Sequence, residues 1–260
     1  MIDESNPAGR LYKILSKAKG QPDNRRVKDV WNKALGIDGD DVEVTKSVVE
    51  LYSLSQEIQS LIKMKENLNH DLYLSSFQSI DRAFFPLHLA TNWQSVKQHL
   101  TDEALTRLQF CSQELSGFYS EESLSEEDLE DIIKKTDELF TALYSSSLPS
   151  ALRLALLEEV QRIRNAISLY QIKGAKGLKE ALQGAIGALV ANQEELKNAT
   201  DSDDDDVIKR LGNLLDKMDS FTSKALKIHK IMKSPMSFLI EKFTSKNEEQ
   251  DSEVETANET

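Results

Sequence analysis

The chain is poor in the residues that build small stapled domains, sheets and metal centres. A single cysteine, Cys111, stands among 260 residues, which excludes an internal disulfide framework and a multi-cysteine zinc site and fits a reducing compartment. Only 10 glycines and 5 prolines punctuate the sequence, so long uninterrupted elements are expected between them. Long hydrophobic runs are missing too. The longest uncharged stretches, such as 181–193, fall well short of the roughly 18 apolar residues that a simple membrane span needs. Residues 1–20 are charged and lack the apolar run of a secretory leader, so the expected location is cytoplasmic. Positive charge is also in deficit, with 32 basic against 44 acidic residues and a net charge of −12. That balance disfavours a dedicated nucleic-acid binder and a protein that coats anionic membrane by charge alone.

What is present is helical periodicity. Apolar residues recur at steps of three and four, the spacing of one helix face, and no strand alternation competes with it. The fold class read from this pattern is all-α: an elongated helical bundle with long, coiled-coil-like antiparallel helices, about eight or nine in number. Asn6 before Pro7 is a cap and first-turn pair, with Gly20 as the stop. A short helix then runs from about Asn24 to Gly36, and a longer one from the 38–41 turn to Asn69. Phe77, Phe84, Phe85 and Trp93 concentrate in short segments between residues 71 and 100. Thr101 opens another helix, and Ser125 with Asp128 has the spacing of a capping box.

In the second half, Leu156, Val160, Ile163, Ile167, Tyr170, Gly174, Gly177, Ala181, Gly184, Ala188 and Ala191 keep one unbroken phase. A bulky seam thus turns into a seam of small residues. Val207, Leu211, Leu214, Met218, Phe221, Ala225, Ile228 and Met232 form the strongest stripe in the chain, which predicts a coiled-coil-like pairing with the preceding helix. Pro235 can begin a short amphipathic helix, and the acidic end lacks apolar clusters. The expected organisation is a helical hairpin over 1–37, a helical subdomain over 38–146, a long hairpin with a short terminal helix over 147–246, and a disordered tail over 247–260.

No constellation with catalytic or ligating spacing emerges, so no catalytic residue, metal or cofactor is assigned and the chain is read as a non-enzyme. His70, His88, His99 and His229 form no one-turn pair. Cys111 shares a face with Leu108 and Leu115, which makes it a small core residue rather than a nucleophile. The acidic run 201–206 lacks the glycine and terminal glutamate of an EF-hand loop and reads as a helix N-terminus.

Two features bear on partners. Arg10, Lys13, Lys17, Arg25 and Arg26 form a basic face that could dock an acidic surface, such as 121–131 of the same chain or of a second copy. The small-residue positions Gly177, Ala181, Gly184, Ala188 and Ala191, with Leu214 and Phe221, are candidates for partner binding or close helix packing. The leading expectation is an interaction or scaffold protein that works by self-association or by binding a partner protein, with no small-molecule substrate and no nucleic acid. The alternative is a membrane-active, pore-forming-like effector in a bacterial defence or toxin setting, which would expose the apolar segment 178–190 on activation.

The segments Asn6-Pro-Ala-Gly-Arg-Leu-Tyr-Lys-Ile-Leu15 and Val30-Trp-Asn-Lys-Ala-Leu-Gly36 resemble the start of a group of small bacterial all-α proteins that carry no assigned activity. The likeness spans about thirty residues. It implies a bacterial cytosolic origin and nothing about mechanism.

Overall fold

The computed structural model describes residues 5–117, 119, 121, 125–200 and 205–226. The chain is all-α: among the described residues there are twelve helical segments and no strand. The count exceeds the eight or nine expected for two reasons. Residues 71–100 form three separate short helices, and the stretch after Ser150 is interrupted near residues 169 and 192. Positions Ile228 and Met232, the helix expected after Pro235 and the 247–260 tail lie outside the described residues.

Two compact units divide the chain, one of residues 1–122 with 169–174, the other of 123–168 with 175–260. The first contains α1 (Pro7–Lys19), α2 (Val27–Leu35), α3 (Asp41–Lys63), α4 (His70–Leu74), α5 (Phe77–Phe84), α6 (Gln94–Lys97) and α7 (Asp102–Ser116). Its start follows from local chemistry. The Asn6 side chain accepts from the Gly9 amide at 3.0 Å, and its own amide donates to the Ser112 carbonyl at 2.9 Å. One residue therefore caps α1, a contribution of about 1 kcal/mol, and ties it to α7. Gly36 ends α2 at φ 68°, the left-handed conformation that glycine adopts without a Cβ penalty.

The core of this unit is built from stripes that the sequence pattern marks. Leu11, Ile14 and Leu15 of α1 bury beside Val44, Val48, Leu51, Ile58 and Ile62 of α3 and Leu108, Cys111 and Leu115 of α7. Trp31 meets Trp93 edge-on at 5.3 Å and stacks on Phe84 at 5.9 Å, so the aromatic short segments contribute to the core. The backbone reinforces this closure: Val27 N–H donates to Thr91 O at 2.9 Å and Trp93 N–H to Arg25 O at 2.7 Å. α3 stops at Lys63, short of the expected Asn69.

The second unit contains α8 (Glu126–Ser145), α9 (Ser150–Ser168), most of α10 (Tyr170–Ala191), α11 (Gln193–Thr200) and α12 (Asp205–Ala225). Ser125 caps α8 through its hydroxyl, which accepts from Asp128 N–H at 3.2 Å. The 145–150 break is the turn between α8 and α9, inside this unit. Every described member of the α12 stripe, from Val207 to Ala225, is buried. Its main neighbour, however, is α8, with a lesser contact to α11. The expected pairing along the preceding long helix is corrected accordingly. Ile132, Thr136, Leu139 and Leu143 of α8 are all fully buried and offer an apolar stripe of matching period.

Candidate functional site

The predicted basic face does not survive as a single surface. Lys13, Lys17, Arg25 and Arg26 are exposed, but Arg10 is buried. Its guanidinium donates from Nε to the Ile172 carbonyl at 3.0 Å and from one terminal nitrogen to the Lys173 carbonyl at 3.4 Å. The other terminal nitrogen lies 3.3 Å from Glu121 Oε2. Glu121 Oε1 accepts from the Tyr119 hydroxyl at 3.1 Å, and Glu121 N–H donates to Ser5 O at 2.9 Å. Burial, then the Glu121 charge, pushes the Tyr119 hydroxyl well above its usual range, which keeps it a neutral donor. The planar fork of arginine suits this task, because it serves two carbonyls and a carboxylate at once. The acidic stretch 121–131 thus meets the basic segment at one buried pair.

Asp128 and Asp131 of that stretch pair elsewhere. Lys217 of α12 reaches Asp128 at 2.9 Å and Asp131 at 3.1 Å. Its hydrogen bond, with that of Ser125, holds the Asp128 carboxyl below its ordinary value. At Asp131 burial pushes upward, but Lys217 and Lys135 outweigh it and the net shift is downward.

The small-residue seam is graded rather than uniform. Gly177 and Ala181 are buried, Gly184 and Ala188 half-buried, and Ala191 exposed. A Cβ on Gly184 would come within 3.4 Å of Glu159 Oε2 and 3.9 Å of an Arg162 terminal nitrogen, whereas one on Gly187 would meet nothing within 4 Å. α9 and α10 therefore approach at Glu159 and Gly184, residues placed symmetrically about the turn at 169–174. The chain therefore turns back on itself between α9 and α10, a hairpin in its connectivity. Leu214 and Phe221 are buried positions of α12.

Sequence reasoning missed an exposed apolar group in the first unit. Met64, Leu72 and Phe110 are 71%, 50% and 47% exposed, large values for residues that carry most of their surface as hydrocarbon. Hydrogen bonds link the three segments that carry them. Lys65 bonds Glu114 through both its carbonyl and its carboxylate, Arg107 donates to the Leu72 carbonyl, and Cys111 Sγ faces the Tyr73 carbonyl at 3.9 Å. Residues 107, 110, 111 and 114 share one side of α7, so Phe110 flanks the line along which α7 meets α4 and the end of α3. The signal was available as a phenylalanine next to the buried Leu108–Cys111–Leu115 stripe, one position out of phase. The companions from α3 and α4 were not legible.

A second row lies on α8 of the other unit, where exposed Ile133 and Tyr144 and half-buried Phe140 sit one position outside the buried stripe. Arg164 stacks over the Phe140 ring at 4.0 Å while pairing with Asp137 at 2.6 Å. That side chain covers part of the row and leaves Tyr144 open.

For reactive groups the findings are local. Burial pushes the Cys111 thiol up to about 12, which leaves it protonated and unreactive at neutral pH. His70 Nε2 lies 2.9 Å from the Lys65 carbonyl. Asp206 pairs with Arg210 of the next turn at 2.6 Å, while 201–204 lie outside the described residues. No group of three or more His, Cys, Asp or Glu side chains among the described residues could hold a metal ion. No described helix is long and apolar enough to cross a membrane. The chain matches no protein-family model, no curated protein and no solved structure.

Proposed function

We propose that this chain is a non-enzymatic interaction protein that acts by association, with copies of itself or with a partner protein. The observation that carries the reading is the exposed trio Met64, Leu72 and Phe110 on a unit whose own core is already filled. Single exposed apolar residues are ordinary, but grouped ones on a water-facing surface mark a place that another molecule covers. The ion pairs around the trio support it as a rim. Lys65–Glu114 and Arg107–Glu103 frame the apolar side chains with charges already neutralised inside the chain, the arrangement of a greasy centre with a polar edge.

The test is light scattering of the full chain beside a Phe110→Glu variant, followed by capture of partners from the native host. Association by the wild type and its loss in the variant, at equal helicity, is the expected result. A wild type that stays monomeric across concentration and captures nothing that Phe110→Glu fails to capture overturns the proposal.

One observation favours the membrane-active alternative. The uncharged run 181–193 keeps Leu182, Ala185 and Leu189 buried, so an apolar surface is held inside the second unit. Leakage from anionic and neutral vesicles, measured with and without acidification, tests that reading directly.

A further inference from the structure

The turn of the α9–α10 hairpin is an unusual construction. It is one isolated helical turn, Leu169–Gly174, bounded by a break after Ser168 and by Gly174 at φ 65°, ψ −158°. That backbone conformation is essentially reserved for glycine. A Cβ on Gly174 would fall 2.2 Å from Glu121 Oε2 and 2.8 Å from the Arg10 guanidinium carbon. The turn belongs to the first unit, while the arms on both sides belong to the second. Ile172, 2% exposed, is part of the first unit's core, and Leu169 packs against it.

Three observations say that this sequence has a second way to run. The seam from Leu156 to Ala191 keeps its 4,3 phase straight through the turn. A hairpin has no need of phase continuity across its tip, whereas a single helix requires it. No proline lies between residues 150 and 191, so nothing covalent forbids that helix. Finally, in an unbroken helix the carbonyls of Ile172 and Lys173 accept from the amides four residues on. Here the backbone leaves the helical conformation at Gly174, and Arg10 donates to both of those carbonyls.

We propose that Arg10, Glu121 and Gly174 form a latch that holds the α9–α10 helix broken. Its release lets residues 150–191 run as one continuous helix and withdraws Ile172 from the core of the first unit. Arg10 acts as the substitute hydrogen-bond donor, Glu121 aims and neutralises it in a buried setting, and Gly174 supplies the one backbone geometry that the latch accommodates. The latch is a two-state element: the same two carbonyls are satisfied by a guanidinium in one state and by their own helix in the other.

The test is a distance measurement by double electron–electron resonance on the full chain, with Cys111→Ala and spin labels at Leu154→Cys and Val190→Cys. Both label positions are exposed and stand at the same level of the two arms, since Glu159 faces Gly184. The latched chain gives a short distance set by the roughly 10 Å spacing of packed helices. A continuous helix places the 36 intervening steps over about 54 Å, at about 1.5 Å per residue. Arg10→Met, which removes the donors while keeping bulk, and Gly174→Ala, which forbids the positive φ, are expected to bring up the long distance. Glu121→Gln is expected to bring it up to a smaller extent. Near-ultraviolet circular dichroism from Trp31 and Trp93 verifies that the first unit remains folded. A short distance unchanged in folded Arg10→Met and Glu121→Gln overturns the proposal, and these two carry the test if Gly174→Ala does not fold.

Discussion

Glu159 faces Gly184 across the α9–α10 hairpin, its Oε2 placed 3.4 Å from where a Cβ on Gly184 would stand, and that buried oxygen accepts no hydrogen bond. The other oxygen pairs with Arg162 at 2.6 Å. Burial pushes the carboxyl above its ordinary value of 4.5, and the opposing pull of Arg162 does not cancel this. A carboxyl that binds its proton more tightly in the folded chain than in the unfolded one destabilises the fold once ionised. Stability of the second unit therefore falls as pH rises from about 4.5 through the raised folded value. Glu159→Gln should stabilise this unit at pH 7 by about 1 kcal/mol and remove that part of the pH slope. Urea unfolding at pH 5 and pH 8, followed by helicity, measures both effects.

The same geometry separates two glycines that look alike in the sequence. Glycine inside a helix costs up to about 1 kcal/mol relative to alanine, and only a close neighbour justifies the cost. Gly187 has no atom within 4 Å of a would-be Cβ, while Gly184 has the Glu159 carboxylate at 3.4 Å. Gly187→Ala should stabilise by about 1 kcal/mol, and Gly184→Ala by less, because its methyl further dries an ionised group. Equal gains in thermal melts would mean that the hairpin arms do not approach at Glu159.

Arg10 and Glu121 are buried together at 3.3 Å, so removing either leaves the other's charge without its partner in a low-dielectric setting. Glu121→Leu alone should destabilise the first unit by about 3 kcal/mol, the usual scale for breaking a buried pair. Arg10→Met with Glu121→Leu should recover part of that loss, since two apolar groups replace two charges. Tryptophan fluorescence from the buried Trp31 and Trp93 reports this unit's unfolding in denaturant. A double variant as unstable as the sum of its parents would show that the two side chains do not interact.

What the sequence disclosed and what it withheld divide along the range of the interactions. Caps at Asn6, Thr101 and Ser125, the stop at Gly36 and the α12 stripe are set within one or two helical turns, and each was legible. The partner of α12 was not: several helices offer an apolar stripe of matching period, and the choice of α8 depends on where the chain brings them. Arg10 read as one member of an exposed basic face because its acceptors lie on Ile172 and Lys173, more than 160 positions away. Gly174 was visible only as one small residue of the seam. Its positive φ came only with the buried pair that shapes it. The trio Met64, Leu72 and Phe110 escaped because residues drawn from three separate segments leave no periodic trace in any one of them.

Leu214 and Phe221 are 0% and 6% exposed on the face that α12 buries. Leu214→Asp places a carboxylate where the surroundings are apolar and removes a packed side chain as well, a combined cost of about 4 kcal/mol or more. Loss of helicity from the second unit is the expected outcome, with tryptophan fluorescence of the first unit retained because both tryptophans lie there. Native helicity in Leu214→Asp would remove α12 from the core of its unit.

Lys217 binds α12 to the start of α8 through Asp128 and Asp131, and both carboxyls are held below their ordinary value of 3.8. A depressed carboxyl contributes stability that is present above its unfolded value and disappears as pH falls through its folded one. The α8–α12 contact therefore weakens below about pH 3.8, the opposite sense from Glu159, whose protonation strengthens the same unit. Two opposed titrations within one unit predict a stability maximum on the acid side of neutrality, near pH 4 to 5. Lys217→Gln should remove the low-pH branch, lowering stability at pH 7 by less than about 1 kcal/mol because the groups are partly exposed, and shifting the maximum to lower pH. Thermal melts of the wild type and Lys217→Gln between pH 3 and pH 8 decide it. An unmoved maximum would assign the acid-side loss to groups other than Asp128 and Asp131.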